Sequence, residues 1–129
     1  MRKKAFTLVE LTIVVILIAI LAALAIPQFT RVQERAKVSA AKAKLDLVRK
    51  SQGMYHTLTD VYTTDFGLLD DELPEANESR LDDADWDIEV DSADASSFTI
   101  SATRERGQYV NDTVTIDQDG TMGGTHPLR

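Results

Sequence analysis

The 129-residue chain contains no cysteine, which excludes a disulfide framework and a thiolate metal site. It has only two histidines, His56 and His126, both expected near loops at the surface. No nucleophile motif, phosphate loop or dinucleotide fingerprint is present, so the residues give an enzyme no support. Aromatics are sparse at 6%, and their scatter suits core packing better than a stacked electron path. Charge is missing where it would matter most. No Asp, Glu, Lys or Arg lies between Glu10 and Arg31. Cations are scarce beyond residue 50, where four arginines face eighteen acids, a balance of −14. Phosphate binding needs a basic face, so direct contact with nucleic acid is not expected. Residues 1–50 have the opposite balance, ten Lys/Arg against Glu10, Glu34 and Asp46, or +7. That basic part suits an acidic partner or lipid head groups.

The uncharged stretch belongs to an apolar run over residues 6–26, in which only Thr7, Glu10 and Thr12 are polar. As a helix it would measure about 31 Å, close to the hydrocarbon thickness of a bilayer. Arg2, Lys3 and Lys4 would hold its N-terminus on the cytoplasmic side, leaving the rest of the chain outside. A cleaved secretory signal has a shorter core, and Pro27 disfavours a cut after Ala25. A plain signal anchor leaves Glu10 unexplained, because a carboxylate at hydrocarbon depth is costly and by default functional.

Residues 4–15, Lys4-Ala5-Phe6-Thr7-Leu8-Val9-Glu10-Leu11-Thr12-Ile13-Val14-Val15, are followed by the apolar run and Ile26-Pro27-Gln28-Phe29. This pattern closely resembles the N-terminus of type IV pilins and type II secretion pseudopilins. The resemblance covers about 25 residues and is specific, since cut site, glutamate and proline share one spacing. It implies that a prepilin peptidase cuts between Ala5 and Phe6, and that Phe6 is then N-methylated. It also implies that Glu10 is the assembly glutamate and Pro27 the helix-kinking proline. In the family that glutamate meets the terminal amine of a neighbouring subunit. Here Glu10 also stands within reach of the amine on its own Phe6, and both partners stay open. The residues alone allow Pro27 to be a plain helix stop as well. Two positions depart from the usual pattern. Ala5 stands where Gly normally precedes the cut, which predicts slower processing, and Ala19 replaces a frequent Gly, which favours helix by about 1 kcal/mol.

After Pro27, helix formers continue without Pro or Gly to Gln52, and Gly53 is the expected C-cap or a late break. Two apolar stripes run along this part. One is Phe29, Val32, Ala36, Ala40, Ala43 and Leu47; the other is Val38, Ala41, Leu45 and Val48. Together they predict a wide apolar face with basic flanks. Residues 54–84 suggest a loop with short helical turns. Three alternating runs, 86–90, 97–102 and 113–117, predict an antiparallel meander. Trp86, Ile88, Val90, Phe98, Ile100, Ala102, Val114 and Ile116 would face the helix, and a turn-rich tail follows. Asp117-Gln118-Asp119-Gly120-Thr121 is similar to part of a calcium loop. The bidentate acid that closes an EF-hand is missing, so a hairpin-end turn is expected and Asp117 and Asp119 are only conceivable calcium ligands. The acid cluster Asp82-Asp83-Ala84-Asp85 has the same plain reading. No cofactor is expected.

The predicted architecture is therefore α+β and pilin-like: a long kinked N-terminal helix against a small antiparallel sheet. It divides into a leader (1–5), a membrane and filament-core half-helix (6–26), an amphipathic half-helix (27–53) and a head (54–129). The head has a loop (54–84), a sheet (85–118) and a C-terminal tail. The resemblance implies a type IV pilus subunit for adhesion, motility or DNA uptake, with a type II secretion pseudopilin as the alternative. Its implied partners are further copies of the chain in a helical filament, the prepilin peptidase and an inner-membrane assembly platform. It implies residence in the inner membrane before assembly, then an extracellular pilus or a periplasmic pseudopilus. A contrasting reading, an uncleaved anchor presenting an acidic binding domain, predicts an intact N-terminus and no polymer.

Overall fold

Helix formers fill the first sixty residues, and α1 accordingly runs from Leu8 to Thr59. The computed structural model describes residues 5–72, 74, 78–81 and 83–129. The basic residues Arg2, Lys3 and Lys4, and Asp82 of the acid cluster, lie outside the described residues. Two units are distinguished, Met1–Arg35 and Ala36–Arg129.

In the first unit α1 is fully exposed as far as Gln33. The helix continues through Pro27, so this proline is not a stop. Proline has no N–H to give the carbonyl four residues back, and Thr30 Oγ bonds the Pro27 carbonyl at 3.0 Å.

In the second unit α1 passes Gly53, contrary to the expected cap, and ends only at Thr59. A glycine inside a helix costs about 1 kcal/mol, and local contacts offset this here. Tyr55 packs on the core, His56 stacks on Tyr62 at 4.3 Å, and the Thr57 and Thr59 hydroxyls bond carbonyls four residues back. Asp60, with φ of 60°, takes the left-handed position that Gly53 was expected to fill, and its N–H bonds the His56 carbonyl at 2.9 Å.

Two short helices follow, α2 (Phe66–Glu72) and α3 (Glu78–Leu81). The sheet comprises β1 (Trp86–Ala93), β2 (Phe98–Arg104), β3 (Thr113–Asp117) and β4 (Met122–Gly123). Their order is β1-β2-β3-β4, each pair antiparallel, as the alternating runs predict for the first three. The turn-rich tail contributes the unexpected fourth strand. Register places Ile88 opposite Ala102, and Ala102 opposite Val114. One layer of side chains from Trp86, Ile88, Phe98, Ile100, Ala102, Val114 and Ile116 thus faces Val38, Ala41, Leu45 and Val48 of α1. Val90 is only half-buried, next to a bulge between Val90 and Ser92. Leu69 and Leu81 join the core from α2 and α3.

Polar pins fix the connection after α1. Gln52 donates to the Thr63 carbonyl and accepts from the Thr63 N–H at 3.0 Å, and Ser51 Oγ bonds the Leu69 carbonyl at 2.8 Å. Both side chains are fully buried, so these bonds offset the cost of removing them from water.

The chain end folds back tightly on β3. His126 N–H bonds the Thr113 carbonyl at 2.9 Å, and a Cβ on Gly124 would stand 2.2 Å from that oxygen, at φ of +105°. Gly124→Ala is therefore expected to destabilise the fold by about 3 kcal/mol, through combined clash and backbone strain. Urea unfolding of the full chain in detergent, followed by Trp86 fluorescence, measures this. Gly53→Ala, where a Cβ meets nothing, should stabilise slightly in the same assay.

Candidate functional site

The first helical turn is built by a second local motif. Thr7-Leu8-Val9-Glu10 has the S/T-x-x-E spacing of a capping box. Glu10 Oε2 accepts from the Thr7 N–H at 2.9 Å and from the Thr7 hydroxyl at 2.7 Å. Thr7 Oγ in turn accepts from the Glu10 N–H at 3.2 Å. Glu10 was expected as a lone carboxylate awaiting an amine, and it is also the N-terminal cap of its own helix. The cap occupies Oε2, and among the described residues Oε1 takes no part in it. One carboxylate can thus close the helix and still present an oxygen to a cation. Both members follow Phe6, so a cut between Ala5 and Phe6 leaves the cap whole. Ala5 and Phe6 are exposed, as a peptidase needs.

The two apolar stripes on α1 part company. Val38, Ala41, Leu45 and Val48 are buried under the sheet. In the same unit Ala36, Ala40 and Ala43 are exposed, Leu47 is half-buried, and Met54 and Leu58 continue the exposed line towards the helix end. The wide apolar face is thus divided, because a single sheet covers only one side of a helix. The branched and larger side chains fill that side, leaving the alanine line outward. In the first unit Phe29 and Val32 are likewise exposed, beside an open apolar groove of about 480 Å³ that includes Ala25, Ile26 and Thr30. Small outward residues let another helix approach closely.

A charged clamp ties α1 to the start of β1. Lys37 Nζ meets Asp85 Oδ1 at 3.0 Å, Arg104 meets the same oxygen at 2.8 Å, and Lys44 bonds Asp83 and the Leu81 carbonyl. Arg104 ends β2, is 2% exposed, and lies over the Trp86 ring at 5.2 Å. Burial pushes the Asp83 and Asp85 carboxyls up, but the hydrogen bonds they accept and the cations beside them outweigh this and hold both below the usual range. Asp94 drops further, to about 2, because Ser96 and Ser97 donate to it from backbone and side chain.

His126, expected at the surface, is fully buried beside Trp86 and Tyr109, with Nδ1 accepting from the Leu128 N–H at 3.2 Å. His56 is half-buried. Asp117 uses Oδ1 to accept from the Asp119 and Thr121 N–H groups, at 3.0 and 2.8 Å, and so closes the β3–β4 turn. Among the described residues no group of three or more His, Asp or Glu is placed to hold a metal ion.

An apolar capped helix whose second part packs on a four-stranded antiparallel meander is a pilin-like α+β arrangement. Residues 1–26 match the family described as the prokaryotic N-terminal methylation motif. The chain is similar to the type IV major pilin protein PilA of Myxococcus xanthus, with 45% identity over 62 residues, 48% of this chain and 28% of that protein. It is similar to the type IV wide pilus major component PilA4 of Thermus thermophilus, 42% identical over 51% of this chain and 50% of that one. It is also similar to the type II secretion system core protein G of Pseudomonas aeruginosa, 37% identical over 42% of this chain and 38% of that one. The chain thus spans half or less of the length of each of these curated relatives.

Proposed function

We propose that this chain is a structural pilin, cut by a prepilin peptidase between Ala5 and Phe6, methylated at Phe6, and polymerised through α1 into a type IV pilus. The observation that carries this reading is the combination at the first turn: a methylation-motif start, an exposed cut site, and Glu10 with one oxygen open. Before assembly α1, long and apolar enough to cross a membrane, anchors the chain with its N-terminus cytoplasmic. After assembly the same run leaves lipid for a filament core. The new amine of Phe6 meets Glu10 of a neighbouring copy where water is excluded, and sets axial register. Pro27 supplies the kink between the two parts of the helix. The chain carries no catalysis of its own, and its partners are further copies, the peptidase and an assembly platform in the inner membrane.

The likeness to the secretion system core protein G favours a second reading, a periplasmic pseudopilus. Electron microscopy of sheared cell-surface filaments tests the choice. Long filaments containing this chain are expected, and their absence from the surface would favour the pseudopilus. Mass spectrometry of the N-terminus should show methylated Phe6; an intact Met1 would point instead to an uncleaved anchor. Ala5→Trp should block maturation and leave a heavier band retaining the leader, because a bulky side chain replaces the small one before the cut. Normal maturation of that variant would remove the cut-site assignment.

A further inference from the structure

The charges of this chain are unevenly spent. On α1 the cations Lys37 and Lys44 are taken by Asp85 and Asp83, and Arg49 and Lys50 by Asp46. Arg31 and Arg35 are exposed, stand one helical turn apart, and make no ion pair among the described residues. In the other unit β1 is an edge strand of the sheet. Its side chains alternate, so Asp87 and Glu89 point away from the core that Trp86 and Ile88 enter. Their cross-strand neighbours are Thr103 and Ser101, which bring hydroxyls and no cation. Asp87 and Glu105 line an open depression of about 350 Å³, beside Asp83 and Trp86. Asp87, Glu89 and Glu105 make no ion pair among the described residues; Arg106 adjoins Glu105 in sequence without pairing to it.

We propose that Arg31 and Arg35 of one copy dock on the acidic edge formed by Asp87, Glu89 and Glu105 of a second copy. This inference rests on the filament reading and names the faces that meet in it. Charge complementarity selects the second copy as occupant. A subunit whose acidic part carries −14 repels its neighbours unless cations lie between them, and after the cut before Phe6 residues 6–50 still hold seven Lys/Arg against Glu10, Glu34 and Asp46, or +4. Guanidinium groups suit the task, because each can bridge two carboxylate oxygens. The pairing fixes which sides of two subunits face each other; the apolar contacts of α1 hold them together.

Charge reversal tests the docking in cells that assemble the full chain. Arg31→Glu with Arg35→Glu should lower filament yield about tenfold, and adding Asp87→Arg with Glu89→Arg in the same chain should restore it. Because the chain has no cysteine, a second measurement is free of background. Chains carrying Arg35→Cys, coexpressed with chains carrying Glu89→Cys, should form a disulfide heterodimer in filaments, and Asn111→Cys in place of Glu89→Cys should not. Full yield from the Arg31→Glu, Arg35→Glu chain, failed restoration, or equal cross-linking at both positions would overturn the docking. Loss of binding to phosphatidylglycerol vesicles with unchanged filament yield would assign the arginines to lipid, and would overturn it too. In those outcomes the wild-type chain still polymerises and the filament reading stands. Failure of the wild-type chain to polymerise, with no cross-link, would remove both.

Discussion

Replacing Glu10 with alanine is expected to leave the chain in the membrane and to lower filament yield roughly a hundredfold. The amine of a neighbouring Phe6 would lie uncompensated in a water-free core, a defect that costs about 3–5 kcal/mol. Insertion should not suffer, because removing a carboxylate from an apolar helix favours lipid. The capping box complicates a plain alanine result. Glu10 also holds the Thr7 N–H and hydroxyl, and loss of a cap alone costs about 1 kcal/mol. Two companion variants separate the roles. Glu10→Gln keeps an acceptor for Thr7 and removes the charge, so it should assemble nearly as poorly as Glu10→Ala. Thr7→Ala keeps the charge and weakens the cap, so it should assemble far better than either. Membrane fractionation and counts of sheared filaments provide both readouts. Normal yield and register from Glu10→Gln would end the ion-pair role and leave Glu10 as a cap only.

The second large effect concerns the clamp at Asp85. This carboxylate receives Lys37 from α1 and Arg104 from the end of β2. Arg104 is nearly inaccessible, so Asp85→Ala would take from a buried guanidinium the carboxylate it meets at 2.8 Å. Such a loss costs about 3 kcal/mol, less than for a fully buried pair because Asp85 keeps 34% of its side-chain surface. The Arg104 bond to the Asp85 backbone carbonyl, at 3.0 Å, survives the substitution. Lys37→Ala should cost much less, since Lys37 is 40% exposed and solvent screens its pair. Thermal unfolding of the full chain in detergent checks the order of the two variants; equal losses would show that the buried guanidinium is not the determinant.

The same clamp sets an acid dependence. Asp83 and Asp85 have carboxyls held below their usual range in the folded chain. Their contribution is complete above the ordinary carboxylate range, near pH 4, and is lost as pH falls through their lowered folded values. Stability should therefore be flat from neutral pH down to about 5 and fall steeply below about 4. In Asp85→Ala that fall should be shallower. A variant as steep as wild type would place the acid sensitivity elsewhere, with Asp94 the next group to examine.

Much of this was legible in the chain alone. Period-two alternation gave the meander and its inward set, because a strand's side chains must face opposite sides. The uncharged run and its cut-site pattern gave the long apolar helix and the methylation motif, because both are local in sequence. The capping box is equally local, the four consecutive residues Thr7-Leu8-Val9-Glu10. The helix end was misjudged at Gly53 because propensity is a weak prior. Tyr55, packed on the core, and the stacking of His56 on Tyr62 carried the helix six residues further.

By itself the sequence determined the order of the long helix and the first three strands, the period of each, and the segment long and apolar enough to cross a membrane. These follow from neighbours along the chain. Tertiary structure alone decided which apolar stripe of α1 was buried, since either satisfied the helical period and only one sheet was available to cover it. It also decided that Arg104 and His126 lie inside, and that Asp85 holds two cations from separate elements. Burial and pairing depend on residues distant in the chain, and no local pattern records them.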